Sequence, residues 1–197
     1  MDYNILTALT AFAFVSSITP GPNNVMLMNS GANFGFKLTI PHMLGVALGF
    51  VVMVILVGLG IMQVFDAFPI AHQILKVLSI VYLLYLAYKI ALSNSFSEEK
   101  SSKVKPLTFM QAALFQWVNP KAWTMALTAI SLYAPTHSFF AVLLVALVFG
   151  FVNLPCVSSW TVLGQKMQRF LTDSTRLRIF NISMAVLLVI SLYPTLF

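Results

Sequence analysis

The segment 43–62 runs for twenty residues without a charge or a polar side chain, and comparable apolar segments recur along most of the chain. Segments of about twenty or more apolar residues are what a helix needs to cross a ~30 Å hydrocarbon layer at ~1.5 Å per residue. A soluble domain has no place for a helix that is apolar on every face. A transmembrane β-barrel would alternate apolar and polar residues with period two, and these runs do not. Composition agrees, with 59% of residues hydrophobic and 8% charged, against roughly 25% charged in an ordinary soluble domain. The expected fold is all-α and polytopic, with the lipid bilayer as its solvent.

Six spans are expected, at about residues 5–28, 38–62, 68–92, 107–132, 138–163 and 177–196, with ends that periodicity fixes only to within a few residues. The stretch 5–18 has the length of a signal-peptide core. Met1, Asp2, Tyr3 and Asn4 carry no basic charge before it and no clear cleavage site follows, so it is read as the start of the first span. The connections then sort by charge. Lys37 lies between spans one and two, Lys89, Lys100, Lys103 and Lys105 lie at or between three and four, and Lys166, Arg169, Arg176 and Arg178 lie between five and six. The connections around Asp66 and at 135–137 hold no Lys or Arg. The positive-inside rule therefore places the basic connections in the cytoplasm and both termini outside an inner (plasma) membrane. The net charge of +6 reports topology and calls for no nucleic-acid partner.

A polar stretch at about 93–106, rich in Ser, Lys and Glu, divides one transmembrane domain into halves of about 1–92 and 107–197. The first half enters from outside and the second from inside, so two similar halves would form inverted three-helix repeats. Two irregular places fit that plan. Thr19, Pro20, Gly21, Pro22, Asn23 and Asn24 interrupt span one, and Asn119, Pro120 and Lys121 interrupt span four. Each break falls ~20 Å from the surface its span enters by, one counted from each side. Broken helices one and four would thus bracket the midplane.

Prolines open the helical ladder by removing N–H donors and clashing with the preceding turn. Irregular backbone at membrane depth is tolerated only inside the protein or against a watery cavity. Pro20, Gly21, Pro22, Asn23 and Asn24 are therefore a candidate substrate site, where a carboxylate meets the helix N-terminus resuming near Asn23 and an ammonium meets side-chain amides and open carbonyls. Asn119, Pro120 and Lys121 are its expected partner. An ammonium that deep in a span costs several kcal/mol if unpaired, so Lys121 should bind a substrate carboxylate or pair with the break in span one. Asn153 with Pro155, and His42 beside Pro41, are possible pathway residues, although an interfacial histidine is the plainer reading of His42. Lys76, His72 and His137 are expected near outer ends in structural roles. Cys156 reads as a packing residue, and the histidines and cysteine form neither a metal set nor a catalytic constellation. Gly45 with Gly49, and Gly58 with Gly60, are expected at close helix contacts and leave a homodimer open.

The Thr-Pro-Gly-Pro-Asn-Asn run at 19–24, the Asn-Pro-Lys at 119–121, the six-span plan and the length resemble the lysine exporter and homoserine/threonine exporter family. The polar start, the segment 30–37 and the Gly45/Gly49 span are most similar to its cysteine and O-acetylserine exporter branch. The resemblance implies an efflux transporter of amino acids or their derivatives, with no organic cofactor and no enzymatic activity. Many members carry Asp after the Pro-Gly-Pro, where this chain has Asn23. That difference favours small neutral zwitterions over cationic amino acids. The competing readings are a channel or permease for another solute, which would want carboxylate or thiol ligands in the membrane, and a non-transporting assembly factor.

Overall fold

A computed structural model describes residues 3–61, 69–92, 105–134 and 138–193. The described residues form seven helices and no strand: α1 (Tyr3–Ile18), α2 (Pro22–Gly58), α3 (Pro69–Ala91), α4 (Phe109–Val118), α5 (Pro120–Tyr133), α6 (Phe139–Met167) and α7 (Ser174–Ile190). By length and composition α2, α3 and α6 are each able to cross a membrane. The expected linker at 93–106 lies outside the described residues up to 104, as do Asp66, the connection at 135–137 with His137, and both chain ends.

Hydroxyl residues inside the apolar helices bond to their own backbone rather than remaining open toward lipid. In α1, Thr7 and Thr10 donate to the carbonyls four residues earlier at 2.9 and 2.8 Å, and Ser16 does the same at 2.6 Å. Side-chain caps begin the later helices. Thr108 and Gln111 form a reciprocal capping box at α4, Ser138 caps α6 and Asp173 caps α7. The outer face of α3 shows Ile74, Val77, Leu78 and Val81 more than half exposed, an apolar surface that suits lipid and not water.

The sequence reading places a connection holding Lys37 between spans one and two. The structure instead turns within α2, at one residue, Gly35, whose φ of 79° lies in the left-handed region. In a straight helix Leu27 and Met43 would stand ~24 Å apart, yet they share one buried cluster with Val46. The two arms of α2, before and after Gly35, therefore fold back on each other. The Ser30 and Thr39 hydroxyls meet across the turn at 2.9 Å, and Gln165 of α6 accepts from the Phe36 amide at 2.9 Å. A single glycine at positive φ reverses the chain without a loop, inside the stretch 29–37 where the connection between spans one and two is expected.

The second arm of α2 packs against α6 through Phe50, Met53, Val54, Val145 and Phe149 in one core cluster that α1 and α5 complete. The first arm of α2, with α3 and α7, builds a second cluster. Backbones approach closely where side chains are absent. A Cβ on Gly31 would run into the Thr161 carbonyl of α6, and one on Gly164 into the Met28 carbonyl of α2. Gly45 and Gly49 lie against Phe109 and Ala113 of α4, and Gly58 against Val142 of α6. These glycine faces are used for packing within the chain. Gly60 is no packing face, since it takes a positive φ of 100° just past α2.

Candidate functional site

Both breaks occur where the sequence places them, and the fold sets them against each other. Between α1 and α2 the helical ladder lapses at 19–21, and between α4 and α5 at Asn119. Each lapse frees carbonyls that must find donors away from water.

At the end of α1 those donors come from four directions. The Thr19 hydroxyl bonds the Ser16 carbonyl at 3.0 Å. Asn24 Nδ2 reaches back to the Ser17 and Thr19 carbonyls, both at 2.8 Å. Trp160 of α6 donates its indole N–H to the Ile18 carbonyl at 3.0 Å. Lys121 Nζ donates to the Thr19 carbonyl at 2.7 Å, the Thr19 hydroxyl at 2.8 Å and the Pro20 carbonyl at 3.3 Å. A cation at a helix C-terminus also answers the negative end of the helix dipole. The second break repeats the device. The Trp117 carbonyl, whose usual helical donor, the Lys121 amide, turns instead to Asn119 Oδ1, takes the Trp123 indole N–H at 2.8 Å. Asn119 Oδ1 caps α5 by accepting from the Lys121 amide at 3.1 Å.

The two breaks are joined a second time by an amide pair. Asn23 Nδ2 donates to Gln116 Oε1 at 2.8 Å, and Gln116 Nε2 donates back to Asn23 Oδ1 at 3.3 Å. Gln116 is fully buried and also bonds the Ala112 carbonyl at 2.8 Å. One donor set is left open. α2 starts at Gly21 and Pro22 with no side-chain cap, so the first-turn amides of Asn23 and Asn24 have no side-chain acceptor among the described residues.

Those amides border a cavity of about 20 Å³ between the breaks, walled by Ser17, Asn23, Gln116, Asn119, Lys121 and Asn153. Space of that size holds about one water and no amino acid. The Ser17 hydroxyl is buried with no hydrogen-bond partner among the described residues. Asn153, 5% exposed, is a second polar wall. A second, wider cavity of about 570 Å³ lies on the other side of Lys121, reaching Lys76 of α3 and Ser191 beyond α7. Gly21 and Lys121 line both, which makes this pair the wall between them. A third cavity, of about 270 Å³, lies at the basic end beside Lys89 and Lys105.

Pro20, Gly21, Pro22, Asn23, Asn24, Asn119, Pro120, Lys121 and Asn153 thus converge on one region. The geometry revises some expected roles. Asn23 and Asn24 are engaged within the protein rather than open to a ligand, and the freed carbonyls of α1 are closed by Asn24, Trp160 and Lys121. His42 is set apart from them, 1% exposed, with neither ring nitrogen bonded to a described residue. Lys76 is exposed at the wide cavity, and Cys156 is a buried packing residue. His72 lies in α3. Sequence reasoning missed Ser17, Gln116 and the bonding roles of Trp123 and Trp160. A lone amide in an apolar span, as at Gln116, is the signal that would have found one of them. Among the described residues no cluster of His, Cys, Asp or Glu could hold a metal ion.

The fold and site define a polytopic helical membrane protein in which two broken helices meet at a polar cavity. The chain belongs to the family described as LysE type translocator, which it matches over residues 14–191. It is similar to the cysteine/O-acetylserine efflux proteins of Escherichia coli (strain K12) and Shigella sonnei (strain Ss046), each 29% identical over 193 residues that cover 96% of both chains. The cysteine/O-acetylserine efflux protein of E. coli O139:H28 is 28% identical over the same share. No solved structure matches the chain.

Proposed function

We propose that the protein exports small neutral amino acids or their derivatives, of the cysteine, O-acetylserine, homoserine or threonine kind, across the inner membrane by alternating access around the two breaks. The observation that carries this reading is the cavity between the breaks, closed by a lysine that bonds across it and edged by unsatisfied polar groups. A zwitterion complements that arrangement. Its carboxylate suits the uncapped amides at the start of α2. Its ammonium suits the Thr19 and Pro20 carbonyls that Lys121 now holds, so substrate entering would displace the lysine and release the wall. Ser17 and Asn153 are placed to meet a polar side chain. Asn23, uncharged and tied to Gln116, offers nothing to a second positive charge.

The described conformation is closed around the site, since about 20 Å³ admits no amino acid, and transport requires the breaks to part. Helix pairing supports an inverted repeat: α1 packs on α6 as α4 packs on the second arm of α2, and α3 pairs with α7. Lys37, Lys89, Lys105, Lys166, Arg169, Arg176 and Arg178 stay exposed, as cytoplasmic cations would be, with both termini outside.

The test is efflux of a panel of radiolabelled amino acids from cells holding the protein. Export of a small neutral zwitterion is expected, reduced by Asn119→Ala, Lys121→Ala and Pro22→Ala while each variant remains in the membrane. Unchanged rates in all three would remove the site, and no movement of any amino acid would remove the exporter reading.

A further inference from the structure

The cavity at the basic end contains a group that the central site does not use. His42 borders it from the second arm of α2 and Asn29 and Ser30 from the first, while Lys89 of α3, whose ammonium lies 5.6 Å from the Tyr85 ring centroid, and Lys105 ahead of α4 also line it. His42, Asn29 and Ser30 are buried, whereas Lys89 and Lys105 are exposed. The lysines therefore form the mouth and the polar side chains the floor.

The floor is short of partners. Neither His42 ring nitrogen has a hydrogen-bond partner among the described residues. Asn29 spends its amide N–H on Asn181 Oδ1 at 2.8 Å, which leaves its own Oδ1 as an acceptor. Ser30 shares a hydrogen with Thr39 at 2.9 Å, and Thr39 already donates to the Gly35 carbonyl at 2.8 Å, so the Ser30 oxygen is also open as an acceptor. An unpaired polar group held out of water is costly enough that native proteins rarely keep one without a purpose. The wide cavity beyond Lys121 is different. Ser79, Thr124 and Ser191 there all donate to their own backbone, and Lys121 is fully engaged.

The volumes point the same way. About 270 Å³ is ample for a molecule several times the size of a water, whose share of liquid volume is ~30 Å³. Ammonium groups at the mouth and acceptors at the floor are the charge complement of a zwitterion entering amine first.

We infer that this cavity is a second binding site, which loads a small zwitterionic amino acid from the basic side with its carboxylate at Lys89 and Lys105 and its ammonium toward Asn29, Ser30 and His42. The inference rests on the exporter reading and goes beyond it, because the loading site is separate from the breaks. Its floor lies on both arms of α2, on either side of the Gly35 turn, so an occupant would be felt by the helix that begins at Pro22.

The test uses the full chain in proteoliposomes of defined orientation, with L-[35S]cysteine kept reduced and [14C]homoserine as probes. Uptake is measured separately from the basic face and from the opposite face. Lys89→Gln/Lys105→Gln changes only exposed side chains, and His42→Leu stays near the side-chain volume while removing both nitrogens. Each variant should raise KM about tenfold from the basic face, as expected for one lost bond to a charged group, and leave KM from the other face and the maximal rate near wild type. An equal rise from both faces, or a lower maximal rate at unchanged KM, overturns the loading site and leaves the exporter reading intact. Wild-type vesicles that move neither probe overturn both. An anionic lipid that co-purifies with wild type and is lost from the lysine variant, with side-specific KM unaltered, would assign the cavity to a lipid headgroup instead.

Discussion

Replacing Lys121 by methionine keeps most of the stem and removes the ammonium that bonds across the breaks. The cost follows from what each acceptor keeps. The Thr19 carbonyl retains Asn24 Nδ2 at 2.8 Å, and the Thr19 hydroxyl retains its own bond to the Ser16 carbonyl at 3.0 Å. Only the Pro20 carbonyl, now 3.3 Å from Nζ, is left with no partner among the described residues. The loss is therefore close to one charge-assisted hydrogen bond rather than three, roughly 1.5–3 kcal/mol. Lys121 is partly exposed, so solvent screening favours the lower end. About 1.4 kcal/mol is a tenfold change in an equilibrium, so the closed arrangement should lose about that much weight against open ones. Two readouts then move in opposite directions. In a Cys156→Ala background, a thiol placed by Asn153→Cys should react with an impermeant maleimide about tenfold faster once Lys121→Met is added. Efflux should fall, because the substrate ammonium no longer has a cation to displace. Lys121→Arg should lie between. Unchanged reactivity together with a wild-type efflux rate would refute the idea that this lysine holds the wall.

Four further outcomes follow from the packing. Gln116→Leu leaves the Asn23 amide without its partner and should cost about 1–3 kcal/mol, read as a lower unfolding temperature in detergent. Asn23→Leu combined with Gln116→Leu should cost less than the two single changes together, because no orphan remains. Gly31→Ala should lower both the yield of folded protein and its unfolding temperature, since the added methyl meets the Thr161 backbone carbonyl, which cannot yield as a side chain can. Gly35→Ala meets nothing within 4 Å, but φ 79° with ψ 172° is a backbone region nearly confined to glycine, so it should cost about 1–3 kcal/mol through backbone strain alone.

The membrane class was legible because hydrocarbon imposes one rule on every residue of a span, and apolar runs such as 43–62 obey it without exception. The breaks at 19–24 and 119–121 were legible for the complementary reason, since clustered prolines and amides have no other tolerable place at that depth. Lys121 was foreseen as a cation in need of a partner, and pairing with the first break was one of two roles open to it. What escaped was mostly non-local. No spacing reveals that the Trp160 indole would cross to the Ile18 carbonyl, 142 positions away, or that Gln116 would find Asn23 across 93. The reversal between spans one and two was legible from Lys37 between two apolar runs, but that one glycine makes it without a loop was not, since only its φ distinguishes Gly35. That the fold-back of α2 covers the His42 ring is likewise not legible from Pro41 and Lys37 beside it.

The most direct test of the central claim, that substrate binds between the two breaks, is protection of that cavity by the solute transported. The variant Asn153→Cys in the Cys156→Ala background is reconstituted, and its labelling by a small maleimide is followed at mildly acidic pH with and without homoserine or O-acetylserine. Severalfold slower labelling with the transported zwitterion, and no slowing with lysine, is the predicted result. Labelling at an unchanged rate under saturating substrate, in vesicles that still transport it, would place the substrate elsewhere and contradict the account.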